Sequence, residues 1–229
     1  MNMNTPFSNV KVGFLFDLDG VLIDSEKEYS KIWAQINHEY PSGKDNLEVV
    51  IKGCTLDKIL ADNYPDADIQ KKVTERLYEL EGKMRYRYLP GAFELLRSLK
   101  ERDMPAVMVT SSNDDKMAHL DEELPDIRSY FTYIVTANQI TKSKPDPEGY
   151  ILGAARIGLR ATDCIVFEDS IQGVTAGQNA GAYVVGVAGT NTSEALQPFS
   201  DMVVDSLIDI DVDTLIGSLL RKKSERMEL

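Results

Sequence analysis

Six short runs of β-branched, aromatic and aliphatic residues punctuate this chain, and helical periodicity fills the stretches between them. The runs are VGFLF at 12–16, AVMVT at 106–110, YIV at 133–135, CIVFE at 164–168, YVVGV at 183–187 and MVV at 202–204. Near-continuous apolarity suits strands covered on both faces. Strands that alternate with helices imply crossover connections, so the predicted fold is α/β: a Rossmann-like, mainly parallel sheet with helices on both faces.

The intervening segments carry their own signals. After Pro90-Gly91, Phe93, Leu96 and Leu99 repeat at helical spacing. Asp146-Pro147 reads as a helix start and Gly158 as its stop. Gly173, Gly177 and Gly181 form one smooth helical stripe, which suits close packing against a sheet. Residues 24–89 break the rhythm, with helices expected around 24–40, 54–63 and 67–88 and almost no strand signal. They are expected to form an α-helical insert between two parts of a core, residues 1–23 and 90–229, lying over the carboxyl edge where open parallel sheets bind ligands. Trp33 and Tyr40 are expected to pack inside this insert, and His38 and His119 to lie on the surface without partners.

Charge narrows the partners. With 37 Asp plus Glu against 25 Lys plus Arg, the net charge is -12. Nucleic acid demands a basic face, so it is not an expected partner. A small anionic substrate would need a local pocket of positive charge. Cys54 and Cys164 stand in no metal-ligand spacing and read as reduced thiols. No apolar run approaches the ~18 residues of a membrane span, and the expected location is the cytoplasm.

The chemistry gathers at the strand tips. Asp17 follows VGFLF directly, and residues i and i+2 of an extended chain point the same way, so Asp17 and Asp19 are expected to project together beyond the sheet. Their repulsion calls for a shared proton or a hard cation such as Mg²⁺. AVMVT ends in Thr110-Ser111-Ser112-Asn113, hydroxyl and amide groups suited to phosphate oxygens. KSKPDP presents Lys144 just before a proline, and CIVFEDS ends in a second acid pair, Glu168-Asp169. Acid pair, hydroxyl, lysine, acid pair form a phosphoryl-transfer constellation.

These four elements resemble, in order and spacing, the four motifs of the haloacid dehalogenase superfamily, most closely its β-phosphoglucomutase-like phosphatase branch. The resemblance covers nearly the whole chain, and the helical insert is similar to the family's cap. It implies that Asp17 is the nucleophile that becomes an aspartyl phosphate, and that Asp19 is first general acid and then general base. It implies Mg²⁺ held by the Asp17 carboxylate, the Asp19 backbone carbonyl and Asp169, with Glu168 acting through water. Thr110 would orient the phosphoryl group and Lys144 would neutralise charge. Gly20, Ser111, Ser112 and Asn113 would help bind substrate, and Lys52 and Gly53 sit where the family's cap loop enters the site.

The expected activity is therefore hydrolysis of a small phosphorylated metabolite, a sugar phosphate first of all, by a monomer or weak dimer. The mutase subgroup has a histidine and an arginine where this chain has Tyr29 and Leu56, which weakens a phosphohexose mutase reading. Inorganic pyrophosphatase and a non-catalytic phosphometabolite sensor are the further alternatives.

Overall fold

The structure is a computed structural model that describes residues 10–52, 54–208 and 210–227. All six expected strands form, as β1 (Gly13–Phe16), β2 (Ala106–Val109), β3 (Tyr133–Val135), β4 (Cys164–Glu168), β5 (Tyr183–Val187) and β6 (Met202–Val204). They make one sheet in the order β3-β2-β1-β4-β5-β6, and every neighbouring pair is parallel. The chain moves outward on one side of β1, then crosses to the other side for β4. Between β1 and β4 lies the switch point where open α/β sheets form a crevice at their carboxyl ends.

The helices are α1 (Glu26–Glu39), α2 (Leu47–Val50), α3 (Leu56–Asn63), α4 (Ala67–Glu81), α5 (Ala92–Glu101), α6 (Asp114–Glu123), α7 (Glu148–Arg156), α8 (Ile171–Asn179), α9 (Ser193–Leu196) and α10 (Val212–Met227). Strand residues alternate between two buried layers. Phe14, Phe16, Met108 and Phe167 pack with Leu96 and Leu99 of α5 and Ile216 of α10. Leu15, Val107 and Val166 pack on the other face with Tyr150 and Ala154 of α7 and Val174 of α8. The glycine stripe does what its spacing predicts: a Cβ on Gly177 would come within 2.9 Å of Val184. Gly181 ends the turn after α8 at φ +80.

The stretch between β1 and α5 holds α1 to α4, with Ile36, Leu47, Leu60 and Leu77 buried among them. Two details differ from the sequence reading. The one-turn α2 lacks a periodic signal of its own. The last helix stops at Glu81, not near residue 88, because the chain beyond Gly82 is drawn into extended pairing with the segment that leaves β1. Ile23 pairs antiparallel with Tyr88, Asp24 N–H donates to Arg87 O at 3.0 Å, and Leu89 N–H donates to Leu22 O at 2.9 Å. Both crossings into the helical segment are thus tied to each other.

Candidate active site

Register places the first acid. Phe16 stands opposite Phe167, and Asp17 N–H donates to Phe167 O at 3.0 Å, so Asp17 leaves β1 beside Glu168, the last residue of β4. Lys144 enters from the loop before α7, with its Lys144–Pro145 peptide bond cis. Its Nζ lies 2.5 Å from Asp17 Oδ1 and 2.5 Å from Glu168 Oε1, all three side chains being buried. The Tyr150 hydroxyl donates to Glu168 Oε1 at 2.8 Å, while Oε2 accepts the Asp169 and Ser170 amides and the Ser170 hydroxyl. Glu168 is therefore saturated with donors, which makes it a fixed counter-charge behind the site.

Burial pushes the Asp17 carboxyl up to about 8; Glu168 and Asp19 push the same way and the Lys144 ammonium opposes them. Burial would lower Lys144, but Asp17 and Glu168 outweigh it and hold the lysine above its ordinary value. One ammonium thus faces three carboxylates, since Asp169 is also buried here. Oxygens of Asp17, Glu168 and Asp169 lie within 4.8 Å of one another. An all-oxygen, net-negative, buried set of this kind fits a hard divalent cation.

Asp19 is held by different means. The chain turns tightly after it: Leu22 N–H and Ile23 N–H both donate to Leu18 O, at 2.9 and 3.1 Å. Gly20 makes this turn at φ +74, where a Cβ would sit 1.9 Å from Asp169 Oδ2, so only glycine fits between the two acids. The Ser25 hydroxyl donates to Asp19 Oδ1. On Oδ2, the Ser112 hydroxyl donates at 3.3 Å and Lys116 Nζ at 2.5 Å. Lys116 also rests over the Tyr29 ring, 4.2 Å from its centroid. The Tyr29 hydroxyl in turn donates to Glu81 Oε1 at 2.6 Å. Burial raises Tyr29 well above the ordinary phenol value, with Glu81 adding to it, so Tyr29 stays a donor; burial also raises Glu81, against the pull of Lys116.

A cleft opens over these groups. Asp17, Asp19, Asp169, Ser111, Ser112, Asn113 and Lys116 line one side, and Tyr29, Trp33, Lys52, Cys54, Leu56, Ile59 and Leu77 line the other. Thr110 stands one layer back, where its hydroxyl accepts the Ser112 amide at 3.0 Å. Asn113 caps α6 by accepting Lys116 N–H at 3.0 Å and donates to the Tyr78 hydroxyl at 2.8 Å. Gly20 faces a neighbouring hollow that Lys52 also borders. Gly53 lies outside the described residues. Trp33 is buried as expected but also faces the cleft, whereas Tyr40 packs at the core's edge. His119 departs from expectation: it is half-buried, its Nε2 lies 3.0 Å from Met84 O, and its ring meets Tyr86 edge-on.

Lys116, Tyr29, Glu81 and Tyr150 are the site neighbours that sequence reasoning did not find. Tyr29 was singled out only as a departure from a histidine. The one available signal for Lys116 was its place beside Met117 and before Leu120, on the inward side of α6.

A family model described as haloacid dehalogenase-like hydrolase matches residues 14–187. Hexitol phosphatase A of Escherichia coli is 32% identical over 210 residues, covering 87% of this chain and 93% of that protein. Validoxylamine A 7'-phosphate phosphatase of Streptomyces hygroscopicus is 30% identical over 207 residues, covering 86% and 94%. Among solved structures, β-phosphoglucomutase of Clostridium difficile matches with a TM-score of 0.77 over 93% of this chain and 98% of that one. At 23% identity, that likeness is one of fold.

Proposed function

The chain belongs to the haloacid dehalogenase-like hydrolases, and from that premise we propose that it is a Mg²⁺-dependent phosphoric monoester hydrolase acting on a small phosphorylated metabolite, a sugar phosphate foremost. The observation that carries this reading is the Asp17–Lys144–Glu168 triad beside Asp169, formed at the sheet's switch point by the tips of β1 and β4 and the loop before α7. The relatives hexitol phosphatase A and validoxylamine A 7'-phosphate phosphatase, whose names specify phosphatases of a hexitol and of validoxylamine A 7'-phosphate, support the substrate class.

In this reading, a carboxylate oxygen of Asp17 attacks phosphorus and the ester P–O bond breaks to leave an aspartyl phosphate. Asp19 gives its proton to the departing oxygen, then takes one from the water that attacks the phosphoenzyme, and the bond from phosphorus to Asp17 breaks. Lys144 neutralises Asp17 and the incoming phosphate, whose mutual approach is otherwise repulsive. Asp17, Asp169 and the Asp19 carbonyl would hold Mg²⁺, which would supply further positive charge to offset the phosphate. Ser111, Ser112 and Asn113 contact the transferring group, and Thr110 orients it through the Ser112 amide.

Residues 24–89 act as the cap, with Lys52 reaching the substrate. The bonded crossings at Asp24–Arg87 and Leu22–Leu89 serve as its hinge. Two free cysteines are in keeping with a cytoplasmic enzyme.

Tyr29 favours hydrolysis over sugar-phosphate isomerisation, because its hydroxyl is committed to Glu81 and its ring to Lys116. The test follows phosphate release and isomer formation side by side with Mg²⁺, over sugar phosphates, polyol phosphates, nucleotides and pyrophosphate, with Asp17→Asn as the inactive control. Free phosphate from sugar or polyol esters supports the reading. Isomer without phosphate makes the protein a mutase, and ligand binding with no turnover of any ester makes it a sensor.

A further inference from the structure

The chain holds 25 basic residues, yet among the described residues only Lys116 and Lys144 are buried. Each is paired with one of the two aspartates of the DLDG loop: Lys144 with Asp17, and Lys116 with Asp19, both at 2.5 Å. The first pair follows from the phosphoryl-transfer motifs. The second comes from α6, outside all of them.

Resting on the phosphatase reading, we propose that Lys116 is a positioning residue that aims the Asp19 carboxyl group at the leaving oxygen. Three donors fix that group. Ser25 holds Oδ1, and Ser112 and Lys116 converge on Oδ2. A carboxyl group held by one oxygen pivots about that contact, whereas one held at both is fixed in plane and direction. Lys116 is itself fixed: Asn113 accepts its backbone amide, and the Tyr29 ring lies against its ammonium. Tyr29 is anchored by Glu81 at the end of α4, so the aim of Asp19 depends on α1 and α4 being seated over the site. No proton passes through Lys116. In the step it serves, the proton on Asp19 moves to the leaving oxygen as the ester P–O bond breaks, and Asp19 is left as carboxylate facing the ammonium.

The alternative is a buried ion pair that only anchors the start of α6. Leaving-group dependence separates the two, because an alkoxide needs the proton and 4-nitrophenolate does not. The quantity to measure is kcat/KM, which reports the steps up to and including phosphoryl transfer. For Lys116→Met, loss on a polyol phosphate should be about 30-fold or more, and on 4-nitrophenyl phosphate no more than about 3-fold. Lys116→Arg keeps the buried charge, and so the fold, while displacing the donor; it should show the same asymmetry at smaller amplitude. Equal losses on both esters, or no loss on the polyol phosphate, for either folded variant overturns the proposal. The alkyl ester used is the sugar or polyol phosphate that the wild type turns over fastest; a wild-type enzyme that releases phosphate from no ester of the panel sinks the phosphatase reading, and this proposal with it.

Discussion

Asp17 and Lys144 lie 127 residues apart in sequence and 2.5 Å apart in space. The ammonium also touches Glu168, so it is the shared counter-charge of two buried carboxylates. Lys144→Met should leave both without that counter-charge, Glu168 keeping only its neutral donors. Stability should fall by about 3 kcal/mol in urea unfolding, and phosphate release should drop at least about 100-fold. A variant as stable as the wild type would show that the two acids are relieved by other means.

Cation binding is expected to be measurable without turnover. If Asp17 and Asp169 hold Mg²⁺, adding it should raise the melting temperature of the wild type with a saturable dependence, since a ligand of the folded state alone stabilises it. Asp169→Asn should abolish that rise, and chelation should stop phosphate release by the wild type. A Mg²⁺-dependent rise of equal size in both proteins would place the ion elsewhere.

Gly173 lies on α8 directly beneath Glu168, where an added Cβ would come within 1.9 Å of the carboxylate. Gly173→Ala should push Glu168 off the Lys144 and Tyr150 contacts that hold it. A stability loss of about 1–3 kcal/mol is expected, together with a fall in kcat larger than any change in KM. An alanine accepted without loss would mean that Glu168 has room to retreat.

Acid stability should depend on a pair far from the cleft. Asp163 accepts from Arg160 Nε at 2.9 Å and from Lys223 of α10; chiefly through the Arg160 contact its carboxyl is held at about 2. A carboxyl lowered on folding stabilises fully above its unfolded value near 3.8 and loses that contribution as pH falls toward about 2. Asp163→Asn should therefore cost about 1 kcal/mol at pH 7, a figure reduced for solvent screening. The gap from the wild type should narrow between pH 4 and pH 2 in urea titrations. A gap that is constant with pH would assign the loss to packing.

The four inner strands were legible because each is buried along its whole length, so its apolar run is unbroken and needs no knowledge of its neighbours. The edge strands β3 and β6, largely half-buried, were legible from their β-branched and aromatic residues. Asp17, Lys144, Glu168 and Asp169 were legible for a related reason: each lies at or beside a motif whose order along the chain is meaningful. Lys116 was not, because in NDDK a lysine among acids reads as solvated, and only Asp19, 97 residues away, explains its burial. The same holds for Tyr29 and Glu81, whose bond spans 52 residues. His119 and the early end of α4 were hidden for one further reason. Both depend on where residues 84–88 run, and that path is set by pairing with Ile23 and Asp24, not by local propensity.

The paired crossings at Ile23–Tyr88 and Asp24–Arg87 also bear on how such an enzyme acquires a new diet. Everything from Glu26 to Glu81 enters and leaves through one narrow doorway whose two jambs are bonded to each other. If residues 24–89 are the proposed cap, another helical segment with the same doorway would meet an unchanged sheet and an unchanged Asp17, leaving choice of substrate free to drift while the chemistry stays put. Lys116 is where that freedom ends. On the proposed mechanism, an exchanged segment that lacked an aromatic ring to meet it would keep Asp17 and lose the aim of Asp19.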